Sequence, residues 1–115
     1  MEKSIITSKY IEEKVCKYYN VSEEDLEYGN REGLKPVLRQ IVVYLARKLT
    51  SEHDKIICKT IRRNREYCVF AANKIVDLMS IDKKFIEEIN NVEKYVKGEI
   101  TNECENFFVI RKHAI

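Results

Sequence analysis

The sequence predicts a compact all-α domain of about five to six helices, and three observations predict it. Only three glycines and one proline occur among 115 residues, too few for the many tight turns of a sandwich or barrel. Apolar residues recur three and four positions apart, the spacing of a helix face. The segments so marked are bounded by Ser, Asn, Asp and Gly, residues that start and stop helices. At 44% hydrophobic and 35% charged, the chain supports one modest core and is not disordered.

The elements follow in order. Ser8 is the expected N-cap of a first helix carrying Ile11, Val15 and Tyr19 on one face, closed by Asn20. A short second helix starts at Ser22, with Glu23, Glu24 and Asp25 favourable in its first turn, and Gly29 stops it. A basic loop over residues 30–35 leads to Pro36, suited to the first turn of a helix reaching Leu49. Val37, Ile41, Tyr44, Leu45 and Leu49 make it the central buried helix. Residues 51–54 start a short fourth helix with Ile56, Ile57, Thr60 and Ile61. Arg62 and Arg63 make a turn, and Asn64 caps a fifth helix over residues 65–79, with Cys68, Ala71, Ala72, Ile75 and Met79 facing inward. Ser80 and Asp82 begin a last helix through Phe85, Ile89, Val92 and Val96, which Gly98 ends. Residues 1–98 thus read as one domain. Residues 99–115 read as a tail that packs on the domain or mediates dimerisation.

Several function classes are disfavoured. The longest apolar run, residues 41–46, is far short of a membrane span, and the N-terminus lacks the pattern of a signal peptide. A cytoplasmic location is expected, with the cysteines as thiols. Cys16, Cys58, Cys68 and Cys104 contain no Cys-x-x-Cys pair, and only His53 and His113 remain to complete a metal site, so none is expected. No phosphate-binding Gly-x-x-x-x-Gly-Lys-Ser/Thr exists, and no His-x-His accompanies Tyr18, Tyr19, Tyr44 or Tyr67 to support a tyrosine nucleophile. The expectation is no catalysis, no nucleotide and no cofactor.

Charge is informative once it is divided along the chain. Residues 29–65 hold ten Lys or Arg against three acids, a local +7; the remainder holds eleven against sixteen, −5. Concentrated positive charge points toward a polyanion. A short helix, a tight turn and a second helix with a polar, basic start also describe a helix-turn-helix. The N-terminus of such a helix presents free N–H groups to phosphate, and its first side chains reach base edges in the major groove. That start is Arg63, Asn64, Arg65 and Glu66. Arg suits guanine, Asn adenine, and Glu accepts from cytosine. The same pattern equally fits a solvated helix start in which Asn64 only caps.

Three stretches resemble the C-terminal DNA-binding domain of the bacterial replication initiator DnaA, an all-helical fold related to the Trp repressor. Residues 11–26, IEEKVCKYYNVSEEDL, resemble its opening helix and "dL" segment. Residues 38–50, LRQIVVYLARKLT, are similar to its "aRqiamYLarelT" signature, and residues 71–75, AANKI, to the "hAcrKI" ending its recognition helix. The resemblance implies that Arg31, Lys35 and Arg39 contact phosphate or the minor groove. Lys59, Arg62 and Arg63 would anchor the turn on backbone, and Asn64, Arg65 and Glu66 would read bases. Tyr67 would stack, contact a thymine methyl or pack on its own protein.

The resemblance also has gaps. Where the family reads "IG..fGgRDHtTV", this chain reads ICKTIRRNREYC over residues 57–68, so Arg63 is kept and the base readers are rewritten. Both turn glycines are replaced, by Cys58 and Arg62. The reading is a double-stranded DNA-binding protein, sequence-specific, acting in replication or transcription regulation without ATPase activity, of bacterial or mobile-element origin. The alternative is a protein-interaction module that kept the fold and lost site-specific DNA binding. A homodimer through residues 80–115 is a further expectation, because Ile81, Phe85, Ile89, Val92 and Val96 form a long apolar row and Phe107, Phe108, Val109 and Ile110 follow it.

Overall fold

Six α-helices form among the described residues of the computed structural model, which are 6–29, 33 and 35–100. They are α1 (Ser8–Tyr19), α2 (Glu23–Tyr28), α3 (Lys35–Leu49), α4 (Asp54–Thr60), α5 (Glu66–Ile81) and α6 (Lys83–Val96). The described residues include no strand, and no helix long and apolar enough to cross a membrane. The all-α class and the order of elements match the sequence expectation.

Local chemistry sets the boundaries. Thr7, rather than Ser8, caps α1, its hydroxyl accepting from the Tyr10 N–H at 3.1 Å. Ser8 is buried instead: its N–H donates to Glu52 Oε1 at 3.0 Å and its Oγ lies 2.8 Å from Thr60 Oγ1. Two adjacent cap formers look alike in sequence, and the tie to α4 decides between them. Asn20 ends α1 in the left-handed region at φ 58°, a conformation its short polar side chain tolerates. The Ser22 hydroxyl accepts from Asp25 N–H at 3.0 Å to start α2. At the far end a Cβ on Gly29 would collide with the Asp25 carbonyl, so the chain can leave α2 this closely only at glycine. Asp82 starts α6 by accepting from the N–H groups of Lys84 and Phe85 at 3.0 and 3.4 Å.

Helix α3 is the axis of the fold. Its residues from Val37 to Val43 are all buried, because α1, α2, α4 and α5 pack around it. Fully burying each Leu or Ile side chain there contributes about 1.5–3 kcal/mol. Helix α6 lies on α1 and α5. The buried Tyr19 hydroxyl donates to Glu88 Oε2 at 2.7 Å, and Tyr18 packs on the rings of Tyr19 and Tyr95. Phe85, Ile89, Val92 and Val96 all enter the core, which corrects the expectation of a surplus apolar row on the last helix. Only Ile81 of that row is exposed, and it belongs to the last turn of α5. Residues 107–110, the other basis for pairing, lie outside the described residues. Cys16, Cys58 and Cys68 are buried free thiols, and burial pushes Cys16 up to about 12.

Candidate nucleic-acid interface

The face under test is made by α4, the turn after it and the first turns of α5. Helix α4 ends in a reciprocal backbone motif. The Arg63 N–H bonds to the Cys58 carbonyl at 2.8 Å and the Arg62 N–H to that of Lys59 at 3.1 Å. This pairing needs one left-handed residue, and Arg62 supplies it at φ 59°. The loss of glycine at this position therefore leaves a tight turn, held in a conformation that arginine rarely adopts. Asn64 and Arg65 precede α5, and their carbonyls accept from the N–H groups of Tyr67 and Cys68 at 2.9 and 3.1 Å. No side-chain cap bond is made at this helix start, so the capping expected of Asn64 does not occur.

The two turn arginines are anchored within the protein. The Arg62 guanidinium lies 4.3 Å from the centre of the Tyr28 ring, and its Nε is 3.4 Å from Glu27 Oε1. Arg63 Nη1 donates to the carbonyls of Arg62, Ile61 and Glu27 at 3.1, 3.3 and 3.3 Å. Both residues thus clamp the turn to the end of α2. Beneath them Lys9 makes ion pairs with Glu23, Glu12 and Glu27 at 2.8, 3.1 and 3.4 Å, an ammonium at the centre of three carboxylates. Burial pushes the Glu12 carboxyl up to about 8, helped by a hydrogen bond to Glu27 that needs the proton. Glu27 is itself held below the ordinary carboxylate range: burial acts upward, but the bonds from Glu12, Lys9 and Arg62 outweigh it.

Arg39, expected on the DNA surface, is 3% exposed. Its Nη1 donates to the Leu26 carbonyl at 2.8 Å, and its positive charge acts on the Tyr67 hydroxyl. Burial, then the nearby charge of Arg63, lowers the Arg39 pKa from its ordinary value. Arg39 is therefore enclosed and tied to α2, not displayed on the surface where the resemblance put it. Tyr67 is half-buried and packs against the core. Lys35 is the first residue of α3 and half-buried, and Arg31 lies outside the described residues.

What remains outside is compact and basic. Lys55, Lys59, Arg62, Arg63, Asn64, Arg65 and Glu66 line one shallow depression of about 610 Å³. A second, of about 640 Å³, shares Lys55 and Arg65 with it and is walled by Glu52, His53, Asp54 and Ile56. Lys55, Lys59, Asn64, Arg65 and Glu66 are exposed, and no hydrogen bond or ion pair joins their side chains to the other described residues. The structure also exposes three α5 residues that the sequence reading did not select. Val69 and Phe70 are 52% and 57% exposed, with Asn73 one turn beyond. The signal for Val69 and Phe70 was present as apolar residues outside the Cys68, Ala71, Ala72 and Ile75 stripe.

Comparison with known proteins gives the family. Residues 8–76 match the family described as bacterial dnaA protein helix-turn-helix. The chain is 34% identical over 93 residues to a chromosomal replication initiator protein DnaA of Caldanaerobacter subterraneus, covering 81% of this chain and 21% of that protein. The values are the same for a DnaA of Thermoanaerobacter pseudethanolicus. For one of Gluconobacter oxydans identity is 28% over 94 residues, covering 81% of this chain and 20% of that protein. The chain spans about a fifth of the length of these relatives.

Proposed function

The chain belongs to the bacterial DnaA helix-turn-helix family, and from that premise we propose that it binds double-stranded DNA through the α4–α5 face. Binding is sequence-dependent, serves replication or transcription regulation, and involves no nucleotide hydrolysis by these 115 residues. The observation that carries the proposal is the cluster of outward side chains at the start of α5. Arg65, Asn64 and Glu66 sit where a recognition helix meets base edges, with Lys55 and Lys59 beside them for phosphate. Arg62 and Arg63 shape the turn and add charge, while Arg39 acts as a positioning residue through Tyr67. The names of the relatives support the replication context.

Fluorescence anisotropy with duplex DNA, followed by random-site selection, tests this reading. Binding should weaken steeply as salt rises. Lys59→Ala should weaken all duplexes about equally, because a phosphate contact carries no sequence information. Arg65→Ala should relax preference at one or two positions, by about 1–3 kcal/mol for each lost bidentate contact. The selected motif should differ from the usual initiator box, since the base readers are rewritten. Enrichment of that box would defeat the specificity assigned to Asn64, Arg65 and Glu66. One observation favours a second reading, a protein-interaction module: Val69, Phe70, Val76 and Ile81 leave apolar surface exposed along α5. Absence of salt-sensitive duplex binding would select it.

A further inference from the structure

Val69 and Phe70 stand in the middle of the outward face of the first turns of α5. At 100° per residue, positions 65, 66, 69, 70 and 73 fall within one sector of the helix, opposite Cys68, Ala71 and Ile75 in the core. The five outward residues are Arg65, Glu66, Val69, Phe70 and Asn73. With a rise of about 1.5 Å per residue the stripe is about 12 Å long, which matches three to four base pairs. A polar and charged stripe with two apolar side chains at its centre is chemically specific. In the major groove the one apolar feature among base edges is the C5-methyl group of thymine. Phe70 is also held in place: its ring lies 5.8 Å from that of Tyr67, which is itself half-buried against the core.

We infer that Val69 and Phe70 read thymine methyl groups in the major groove, between bases contacted by Arg65 and by Asn73. The inference rests on the DNA-binding reading above and gives it a substrate chemistry: duplex with thymines at adjoining positions. A duplex partner is favoured over an apolar protein surface because the two side chains share their stripe with Arg65, Glu66 and Asn73. Their flank is the basic depression of Lys55, Lys59 and Arg62. An apolar partner would have to strip water from all of these charges.

The test uses duplexes recovered by random-site selection with the full chain, resynthesised with deoxyuridine for thymidine at each position in turn. Uracil pairs as thymine does and lacks only the methyl group. Anisotropy should show roughly a fourfold loss for each methyl that Val69 or Phe70 contacts, the value of one buried carbon. Val69→Ala should abolish the difference at one position and Phe70→Ala at another. Val69→Thr, which keeps a methyl, should preserve it. Circular dichroism of each variant verifies folding, and more than half exposure of both side chains makes the substitutions mild. Equal affinity for thymine and uracil at every position overturns the inference and leaves the DNA reading standing. Discrimination that survives both alanine variants also overturns it, by assigning the methyl contacts elsewhere. A change of mass in light scattering for the variants, with discrimination intact, overturns it in favour of a protein partner. If no duplex is enriched and no salt-sensitive binding occurs, the DNA reading itself falls.

Discussion

Glu12 gives the protein a pH dependence that runs against the usual acid sensitivity of carboxylates. Its folded pKa of about 8 lies above the ordinary value of 4.5, so unfolding releases a proton between those limits. The stability contributed by the protonated carboxyl is therefore complete below pH 4.5 and is lost as pH rises through 8, at roughly 1 kcal/mol per pH unit. The lowered pKa of Glu27 acts oppositely, with stability lost only as acid protonates it. Urea unfolding should show the wild-type protein weakening from pH 5.5 to 8, while Glu12→Gln, neutral throughout, should lose most of that slope. Parallel curves for the two proteins would dismiss the proton on Glu12. Neither Glu12 nor Arg39 was legible at this scale. A sequence counts charges without showing which are inside, and the +7 of residues 29–65 includes Arg39, which is buried, and Arg62 and Arg63, which are bonded to α2. Lys59, Asn64, Arg65 and Glu66 were legible as the basic, polar start of a helix after a turn.

At the scale of elements, the helices could be read because apolar spacing is a property of many residues together. Their ends depend on single bonds. Thr7 against Ser8 is a choice made by a contact distant in sequence, and Asn64 stands at the start of α5 without its expected cap. The turn at Arg62 is the strongest case. Nothing about arginine predicts a left-handed backbone, yet the bonds closing α4 impose φ 59° there. This conformation costs a residue with a Cβ about 1–2 kcal/mol, and glycine far less. Arg62→Ala and Arg62→Gly both remove the guanidinium from Glu27 and Tyr28, so their difference isolates the backbone. In denaturant melts the glycine variant should be more stable than the alanine variant by about 1 kcal/mol. Equal midpoints would mean that the turn relaxes when the side chain is shortened.

On the scale of the whole molecule, the five other helices are held on α3 or on its neighbours, and the α4–α5 face is a rim of that assembly. The sequence identified α3 as central from Val37, Ile41, Tyr44, Leu45 and Leu49. It did not reveal that Arg39 and Gln40 would be enclosed as well, since a polar residue on a predicted helix is read as an outer face. Enclosure of residues 37–43 has a consequence for motion. With packing on every side of that stretch, the middle of the helix cannot open unless the surrounding helices separate. Exposure of those backbone amides to solvent then requires disruption of the entire fold. In deuterium exchange followed by mass spectrometry, the amides near Ile41 and Val42 should be the slowest, with an opening free energy equal to that from global unfolding. Amides at the start of α5 should exchange through small local openings. The surface offered to a ligand would then breathe on a fixed axle, able to adjust its first turn while the register of the rest stays unchanged.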